Sequence, residues 1–203
     1  MNYSDIDKSK QAFIFELDNG IYPEKDYLFQ VYYLFTSVLE YTDLLDAKAA
    51  TQVMVDAYLA GEKDRAFDIL QEKYNVDEKY RANYDNLILT AKLPLKLLLY
   101  KSVLDLLQQI VVDRKKIFIV TDGNPIQQLN KIKQTEWHGL EEYLTCYFTY
   151  ETRPKPATDS IELLMKEHNL QRKDIVMIGA TETDSLCAEA CGVDYICISE
   201  LIG

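Results

Sequence analysis

Two carboxylates one residue apart are the first groups in this chain that could do chemistry. Glu16 and Asp18 follow the apolar run "AFIF" and precede Asn19-Gly20, a dipeptide typical of turns. Acids at the end of a buried strand are costly to hold unless they are paired or bind a ligand. The position therefore predicts a catalytic pair or the remains of one, with simple turn chemistry at Asp18 as the structural alternative.

Three further segments place reactive side chains where predicted strands end. Thr121 and Asp122 lie in "IVTDGNP", Lys155 stands between two prolines in "RPKP", and Asp184 ends "IGATETD". Because ligands bind at the carboxyl ends of strands in doubly wound sheets, these groups are expected to meet at one edge. One carboxylate could attack phosphorus and a second could act as general acid and base, while the lysine and hydroxyl hold phosphate oxygens. The inventory is therefore typical of phosphoryl transfer, with magnesium as the natural cation.

The elements that must position these side chains are short, nearly continuous apolar runs separated by helical patterns. Such runs are typical of parallel strands covered on both faces, so they predict an α/β fold with a doubly wound, Rossmann-like sheet. The five runs are "AFIF", "KIFIV", "CYFTY", "DIVMIG" and "DYICI".

Between the first two strands, only helical periodicity is present, over far more residues than one crossover needs. We therefore predict an all-helical cap domain over residues 21–94, inserted into a core domain formed by residues 1–20 and 95–203. Gly61 and the Asp77-Glu78 region are the expected helix breaks, and Pro94 is expected to open the returning helix.

Composition excludes several classes of partner. The net charge of −11 and the pI near 4.7 argue against a nucleic-acid-binding surface. The start "MNYSDIDKSK" lacks the apolar segment of a signal peptide, and charged residues interrupt the most apolar window, so no membrane association is expected. The four cysteines form no CxxC pair, which indicates reduced thiols in a cytoplasmic protein rather than a zinc site. The oligomeric state cannot be read from the sequence.

The order of "FELDNGIYP", "IVTDGNP", "RPKP" and "IGATETD", with a helical insert after the first, resembles the haloacid dehalogenase superfamily with an all-helical cap of the first type. The resemblance extends from about residue 11 to the end of the chain. The first segment is most similar to phosphatases and nucleotidases whose signature reads Asp-x-Asp-Asn-Thr-Leu-Tyr-Pro. The resemblance implies a magnesium-dependent phosphatase of a small phosphorylated metabolite, with nucleotides among the candidates.

The resemblance also assigns roles to individual residues. It makes Glu16 the nucleophile and Asp18 the general acid and base, and it gives magnesium Glu16, the backbone carbonyl of Asp18 and Asp184. The cap residues Tyr22 and Tyr27 are candidates for substrate contacts, with packing in the helical core as the alternative. The residues expected to bind the phosphoryl group are Thr121, Asp122, Gly123 and Lys155.

Four departures from the family pattern weaken the implied site. Glu16 replaces the usual aspartate, and displacing a reacting group by roughly 1 Å can cost about 100-fold in rate. Ala180 stands where an acid would help to hold the metal. Gly20 replaces a threonine, and Asp122 replaces a frequent asparagine. We therefore expect phosphatase activity that is reduced or lost.

Alternatives at the level of function follow from the same residues. The first is a non-catalytic pseudo-phosphatase that acts as a ligand-binding or protein-binding module. The second is a phospho-accepting receiver domain, against which the long helical insert argues. Asp184 has its own structural alternative, since its spacing from Thr181 fits a helix capping box.

Overall fold

The computed structural model describes residues 1–202 and contains a five-stranded parallel sheet. In spatial order, its strands are β5 (Leu144–Phe148), β3 (Lys116–Thr121), β1 (Ala12–Phe15), β6 (Ile175–Gly179) and β7 (Asp194–Cys197). The predicted fold class is confirmed, because helices flank this sheet as in Rossmann-like α/β proteins. The four residues of β1 are fully buried at the centre, and Phe15 pairs with Ile119 on one side and Ile178 on the other.

The remaining regular elements are helices and two very short strands. The helices are α1 (Glu24–Asp43), α2 (Ala47–Leu59), α3 (Ala66–Tyr74), α4 (Arg81–Thr90), α5 (Lys101–Val112), α6 (Pro125–Gln134), α7 (Asp159–His168), α8 (Glu182–Cys191) and α9 (Ser199–Ile202). The short strands are β2 (Leu97–Leu98) and β4 (Thr135–Glu136).

Two boundaries differ from the prediction. Helix α5 begins only at Lys101, because β2 and the extended residue Tyr100 precede it; Pro94 lies in the connection and does not open the helix. Strand β5 ends at Phe148, and the predicted strand residues 149–150 form a 3₁₀ turn instead. The expected breaks at Gly61 and Asp77 are confirmed, since Gly61 follows α2 with φ +79° and Asp77 caps a short 3₁₀ helix.

The chain divides into two compact units. The first comprises residues 1–23, 98–128 and 135–203, and the second comprises residues 24–97 and 129–134. Residues 129–134, the last turns of α6, are thus grouped with the helical unit rather than with the sheet. The role of the helical unit as a cap stays a prediction.

Each unit has its own apolar core. In the sheet unit, Ile14, Val120 and Met177 on neighbouring strands pack with Leu164 of α7 and Cys187 of α8. Burial of such side chains is the main stabilising contribution to the fold.

The core of the helical unit is aromatic. It centres on Phe35, Phe67 and Tyr84, whose ring centroids lie 5.2–5.7 Å apart. Aromatic pairs at this spacing add to the stabilisation that burial alone provides.

The most apolar window of the sequence forms an amphipathic helix. In α5, Val103, Leu106 and Ile110 are buried, while Lys101 and Asp105 form an exposed ion pair at 2.7 Å. Within residues 1–202, no helix is both long enough and apolar enough to cross a membrane.

Candidate active site

The candidate site lies at the carboxyl ends of three neighbouring strands. Thr121 is the last residue of β3, Glu16 directly follows β1, and Asp184 lies in the first turn of α8, after β6. Neighbouring strands lie about 4.8 Å apart, so the sheet itself brings these side chains within contact distance. The structure therefore places these three side chains at one edge of the sheet, where the sequence predicted them.

The carboxylate of Glu16 is buried and bonded at both oxygens. Oε1 accepts hydrogen bonds from the backbone N–H of Leu17 at 2.7 Å and from the hydroxyl of Thr121 at 2.6 Å. Oε2 accepts a hydrogen bond from the ammonium of Lys155. Every oxygen of this side chain thus has a partner within the protein.

Lys155 bridges two carboxylates. Its Nζ donates to Glu16 Oε2 and to Asp184 Oδ1, and the carbonyl oxygen of Val120 lies 3.4 Å away as the third acceptor. The side chains of Lys155 and Asp184 are each only 1% exposed, and that of Glu16 is 7% exposed. The three groups form a buried ion cluster, named the Lys155 triad below.

The second oxygen of Asp184 caps α8. Oδ2 accepts hydrogen bonds from the backbone N–H groups of Ala180 and Thr181, each at 3.0 Å, and from the Thr181 hydroxyl at 2.7 Å. The capping box expected from the sequence is confirmed, and Asp184 fills it while also pairing with Lys155. Gly179 permits this position, because a Cβ at residue 179 would lie 2.5 Å from the Cβ of Asp184.

Burial and charge shift the pKa values of the triad in different directions. Burial, together with the charge of Asp184, raises the pKa of Glu16 to about 7 despite the opposing effect of Lys155. Burial also acts to raise the pKa of Asp184, but Lys155 and Thr181 outweigh it and hold that pKa below its usual value. For Lys155, burial acts to lower the pKa, whereas the two carboxylates raise it above the usual value. Lys155 therefore stays an ammonium at neutral pH.

Asp18 lies beside this triad and is half-buried. Its Oδ1 accepts a hydrogen bond from the hydroxyl of Tyr22 at 2.8 Å, and its Oδ2 accepts one from Nε2 of Gln128 at 3.0 Å. Tyr22 is fully buried, so this substrate candidate acts as a support for Asp18. The other candidate, Tyr27, is buried in the helical unit and donates to the carbonyl of Ile88 at 2.8 Å.

The turn after β1 explains Gly20. A Cβ at this residue would lie 2.2 Å from the carbonyl oxygen of Glu16, so the backbone leaves no space for a side chain. The preceding residue, Asn19, adopts a left-handed conformation with φ 59°, which asparagine tolerates better than most residues. The glycine is therefore a requirement of this turn rather than an incidental departure from the family pattern.

Asp122 organises the loop that carries Lys155. Its Oδ1 accepts hydrogen bonds from the hydroxyl of Thr149 at 2.5 Å and from the backbone N–H of Lys155 at 3.1 Å. Gly123 follows with φ +101°, a region that disfavours residues with a side chain. Asp122, one of the predicted phosphate-binding residues, thus fixes the backbone of the loop that carries Lys155.

Gln128 belongs to the site although no motif in the sequence indicated it. This residue of α6 is 3% exposed, and its Nε2 lies 3.0 Å from Asp18 Oδ2, 2.9 Å from Thr121 Oγ1 and 2.8 Å from the carbonyl of Asp122. The hydroxyl of Thr121 donates to Glu16, so all three neighbours present acceptor oxygens and the amide nitrogen must face them. Gln128 therefore ties together the loops that follow β1 and β3. The only sequence signal was its position one turn into the helix that follows "TDGNP".

The side chains present do not fit a magnesium ion. Magnesium takes oxygen ligands in near-ideal octahedral geometry, whereas the oxygens of Glu16 and Asp184 are bonded to protein donors and the ammonium of Lys155 lies between them. Ala180 offers no ligand atom in its side chain. Among residues 1–202, no group of three or more His, Cys, Asp or Glu side chains is arranged to hold a metal.

The parallel sheet with its flanking helices is a Rossmann-like α/β fold with a charged cluster at its carboxyl edge, and comparisons with known proteins specify the family. The model of the haloacid dehalogenase-like hydrolases matches residues 13–198. The chain belongs to this family. None of the curated proteins matches.

Solved structures share the fold at low sequence identity. A hydrolase from Streptococcus pneumoniae is 18% identical with a TM-score of 0.59, over 93% of this chain and 92% of that one. A HAD-hydrolase from Bacillus subtilis bound to magnesium is 17% identical with a TM-score of 0.59, over 92% and 85%. The L-2-haloacid dehalogenase from Xanthobacter autotrophicus, with chloropropionic acid covalently bound, is 14% identical with a TM-score of 0.53, over 92% and 76%. Members of the family commonly use magnesium, and these neighbours include both a dehalogenase and hydrolases of unspecified substrate.

Proposed function

We propose that this chain is a haloacid dehalogenase-like protein in which hydrolysis of small phosphorylated metabolites is strongly reduced or lost. The observation that carries the proposal is the engagement of both Glu16 oxygens by Leu17, Thr121 and Lys155. An attacking carboxylate must direct a free lone pair at phosphorus from a distance of about 3–3.5 Å. Three of the roughly four lone-pair sites of Glu16 already accept hydrogen bonds, so attack is left to the one remaining lone pair on Oε2, the oxygen that also accepts from the Lys155 ammonium.

The groups that would stabilise a transferring phosphoryl group are occupied as well. The hydroxyl of Thr121 donates to Glu16, and the protons of the Lys155 ammonium are directed at Glu16, Asp184 and Val120. Electrostatic catalysis requires donors that are already aimed at the developing charge. Here the same donors are bonded to the protein's own acids. This supports a further loss of rate, in addition to the loss expected because the attacking oxygen of Glu16 is displaced.

The surroundings add further negative charge. Asp18 and Asp122 are half-exposed beside the triad. The Lys155 ammonium contacts the carboxylates of Glu16 and Asp184 and lies 3.9 Å from Oδ2 of Asp122, so it is already shared among several acids. A phosphate dianion entering this edge would meet further carboxylates, and the residues present do not fit a divalent ion that would offset the added charge. This charge balance supports weak binding of phosphate monoesters.

One observation favours a second candidate, a slow phosphatase. Asp18 is held by Tyr22 and Gln128, so its carboxylate has a fixed orientation beside Glu16, as a general acid and base would need. Residual turnover would depend on this residue.

Phosphate release from p-nitrophenyl phosphate and from a panel of sugar phosphates and nucleoside monophosphates, with magnesium present, tests the proposal. Wild-type protein, shown to be folded by circular dichroism, should release no more phosphate than the Asp18→Asn variant. Multiple turnovers by the wild type that disappear in Asp18→Asn would establish the phosphatase and overturn the proposal.

A further inference from the structure

We infer that the ammonium of Lys155 occupies the cation position of this site permanently, so that the triad binds no magnesium. Glu16 and Asp184 are the two carboxylates that approach each other from β1 and α8, and Lys155 Nζ contacts both. A cation between two buried carboxylates is what a divalent ion would otherwise supply. The inference concerns metal binding alone and does not rest on the proposed loss of hydrolysis.

The remaining charge of the triad is offset by fixed hydrogen-bond donors. When both acids are ionised, two carboxylates and one ammonium leave one net negative charge. The backbone N–H of Leu17 and the hydroxyl of Thr121 serve Glu16, while the N-terminus of α8 serves Asp184. Charge-assisted hydrogen bonds of this kind favour the ionised carboxylate without a metal.

The triad cannot easily rearrange to admit a metal. Asp184 lies against Gly179, where even a methyl group would not fit, so its carboxylate cannot be drawn back toward β6. Lys155 is held at its backbone N–H by Asp122, which fixes the base of the side chain. Expelling the ammonium would leave an unpaired charge in a site whose side chains are almost fully buried, a strongly unfavourable change.

Ala180 adds no ligand that would favour a metal over the ammonium. Its backbone N–H donates to Asp184, and its methyl group supplies no oxygen at the residue where the resemblance places a metal-binding acid. The longer side chain of Glu16 fits the same arrangement, because it reaches Lys155 while folding back onto the N–H of Leu17. Glu16 and Ala180, two of the departures from the family pattern, therefore both favour the Lys155 ammonium over a metal ion at this position.

Titration with Mn²⁺, followed by electron paramagnetic resonance of the free ion, tests this inference without any assay of activity. The matched control is Asp184→Asn, which removes the carboxylate charge at nearly constant volume. Wild type and control should deplete the free Mn²⁺ signal equally at millimolar concentrations. A saturable site with a Kd below about 1 mM in the wild type that is lost in the control would overturn the inference.

Removing the ammonium should create the site that it blocks. For Lys155→Met, 10 mM MgCl₂ should raise the melting temperature by about 3 °C or more relative to EDTA, whereas the wild type should shift by less than about 1 °C. A folded Lys155→Met variant with no magnesium effect would contradict the role of the ammonium. If that variant does not fold, the Mn²⁺ comparison of wild type with Asp184→Asn still decides, because both retain Lys155.

The two proposals fail in different ways. Phosphate release that persists in EDTA would refute the proposed loss of hydrolysis and leave the metal-free triad intact. A Mn²⁺ site without any turnover would refute the metal-free triad and leave the proposed function intact.

Discussion

Replacing Lys155 by methionine removes the shared cation of two buried carboxylates while keeping most of the volume of the side chain. The side chains of Lys155 and Asp184 are 1% exposed, so water cannot replace the lost ammonium. Breaking a buried pair from one side costs about 3–5 kcal/mol, and here one ammonium serves two partners. We expect the free energy of unfolding to fall by about 4 kcal/mol at pH 7, a large share of a typical domain's stability.

The pH dependence gives this prediction a specific signature. In the wild type, burial already raises the pKa of Glu16 to about 7, whereas Lys155 holds the pKa of Asp184 below its usual value. Without the ammonium, the pKa of Asp184 in the folded variant should rise above its unfolded value, so the folded variant binds a proton that the folded wild type does not. Stability from this source is present at low pH and lost as the pH rises. The deficit of the variant relative to wild type should therefore shrink between pH 7 and pH 5, by up to about 1.4 kcal/mol per pH unit for the proton that Asp184 binds.

Urea denaturation followed by circular dichroism at both pH values measures these differences, with m-values confirming that the two unfolding transitions are comparable. The exposed Lys166 provides the matched control, since Lys166→Met should change stability by less than about 0.5 kcal/mol. A loss below about 1 kcal/mol for Lys155→Met, or a deficit that does not change with pH, would show that the triad does not depend on its ammonium.

Three further predictions follow from the same edge of the sheet. Gly20→Thr, which restores the residue usual in the family signature, should lower stability by about 1–3 kcal/mol, because its Cβ would meet the carbonyl of Glu16; an unchanged melting temperature would show that this turn can adjust. Because burial raises the pKa of Glu16 to about 7, the free energy of unfolding of the wild type should fall as the pH rises from about 4.5 to about 7. Urea titrations should show a weaker dependence of this free energy on pH for Glu16→Gln, and identical pH dependences would count against the raised pKa. Gln128→Leu should cost about 1–3 kcal/mol in urea denaturation, because Asp18 and the Asp122 carbonyl lose a buried donor; a neutral effect would assign those groups other partners.

The sequence predicted the sheet and the meeting point of the site because both depend on local patterns. Buried runs of β-branched and aromatic residues indicate parallel strands directly, and parallel strands place their carboxyl ends at one edge. Thr121, Glu16 and Asp184 could therefore be assigned to the same edge from their order alone. The start of α5 was predicted wrongly, because a proline permits a helix to begin but does not require it.

The state of the site depends on distances that no local pattern encodes. The carboxylate of Glu16 accepts a hydrogen bond from the backbone of Leu17 because of the space around it in the folded chain. Asp184 both caps α8 and pairs with Lys155 because α8 lies close to that lysine. Gln128 gave little signal, because a glutamine in a short amphipathic helix is more often exposed than buried. Residues that act through a buried contact are the ones that sequence reasoning misses here.

The burial of the Lys155 triad has a consequence for how such chains evolve. Lys155 and Asp184 stabilise the end of the sheet and the start of α8 whether or not any substrate is turned over. Selection for a folded protein is therefore sufficient to retain them after selection for turnover has ended. A survey that counts family members as active because they keep this lysine and this aspartate would measure the persistence of a fold.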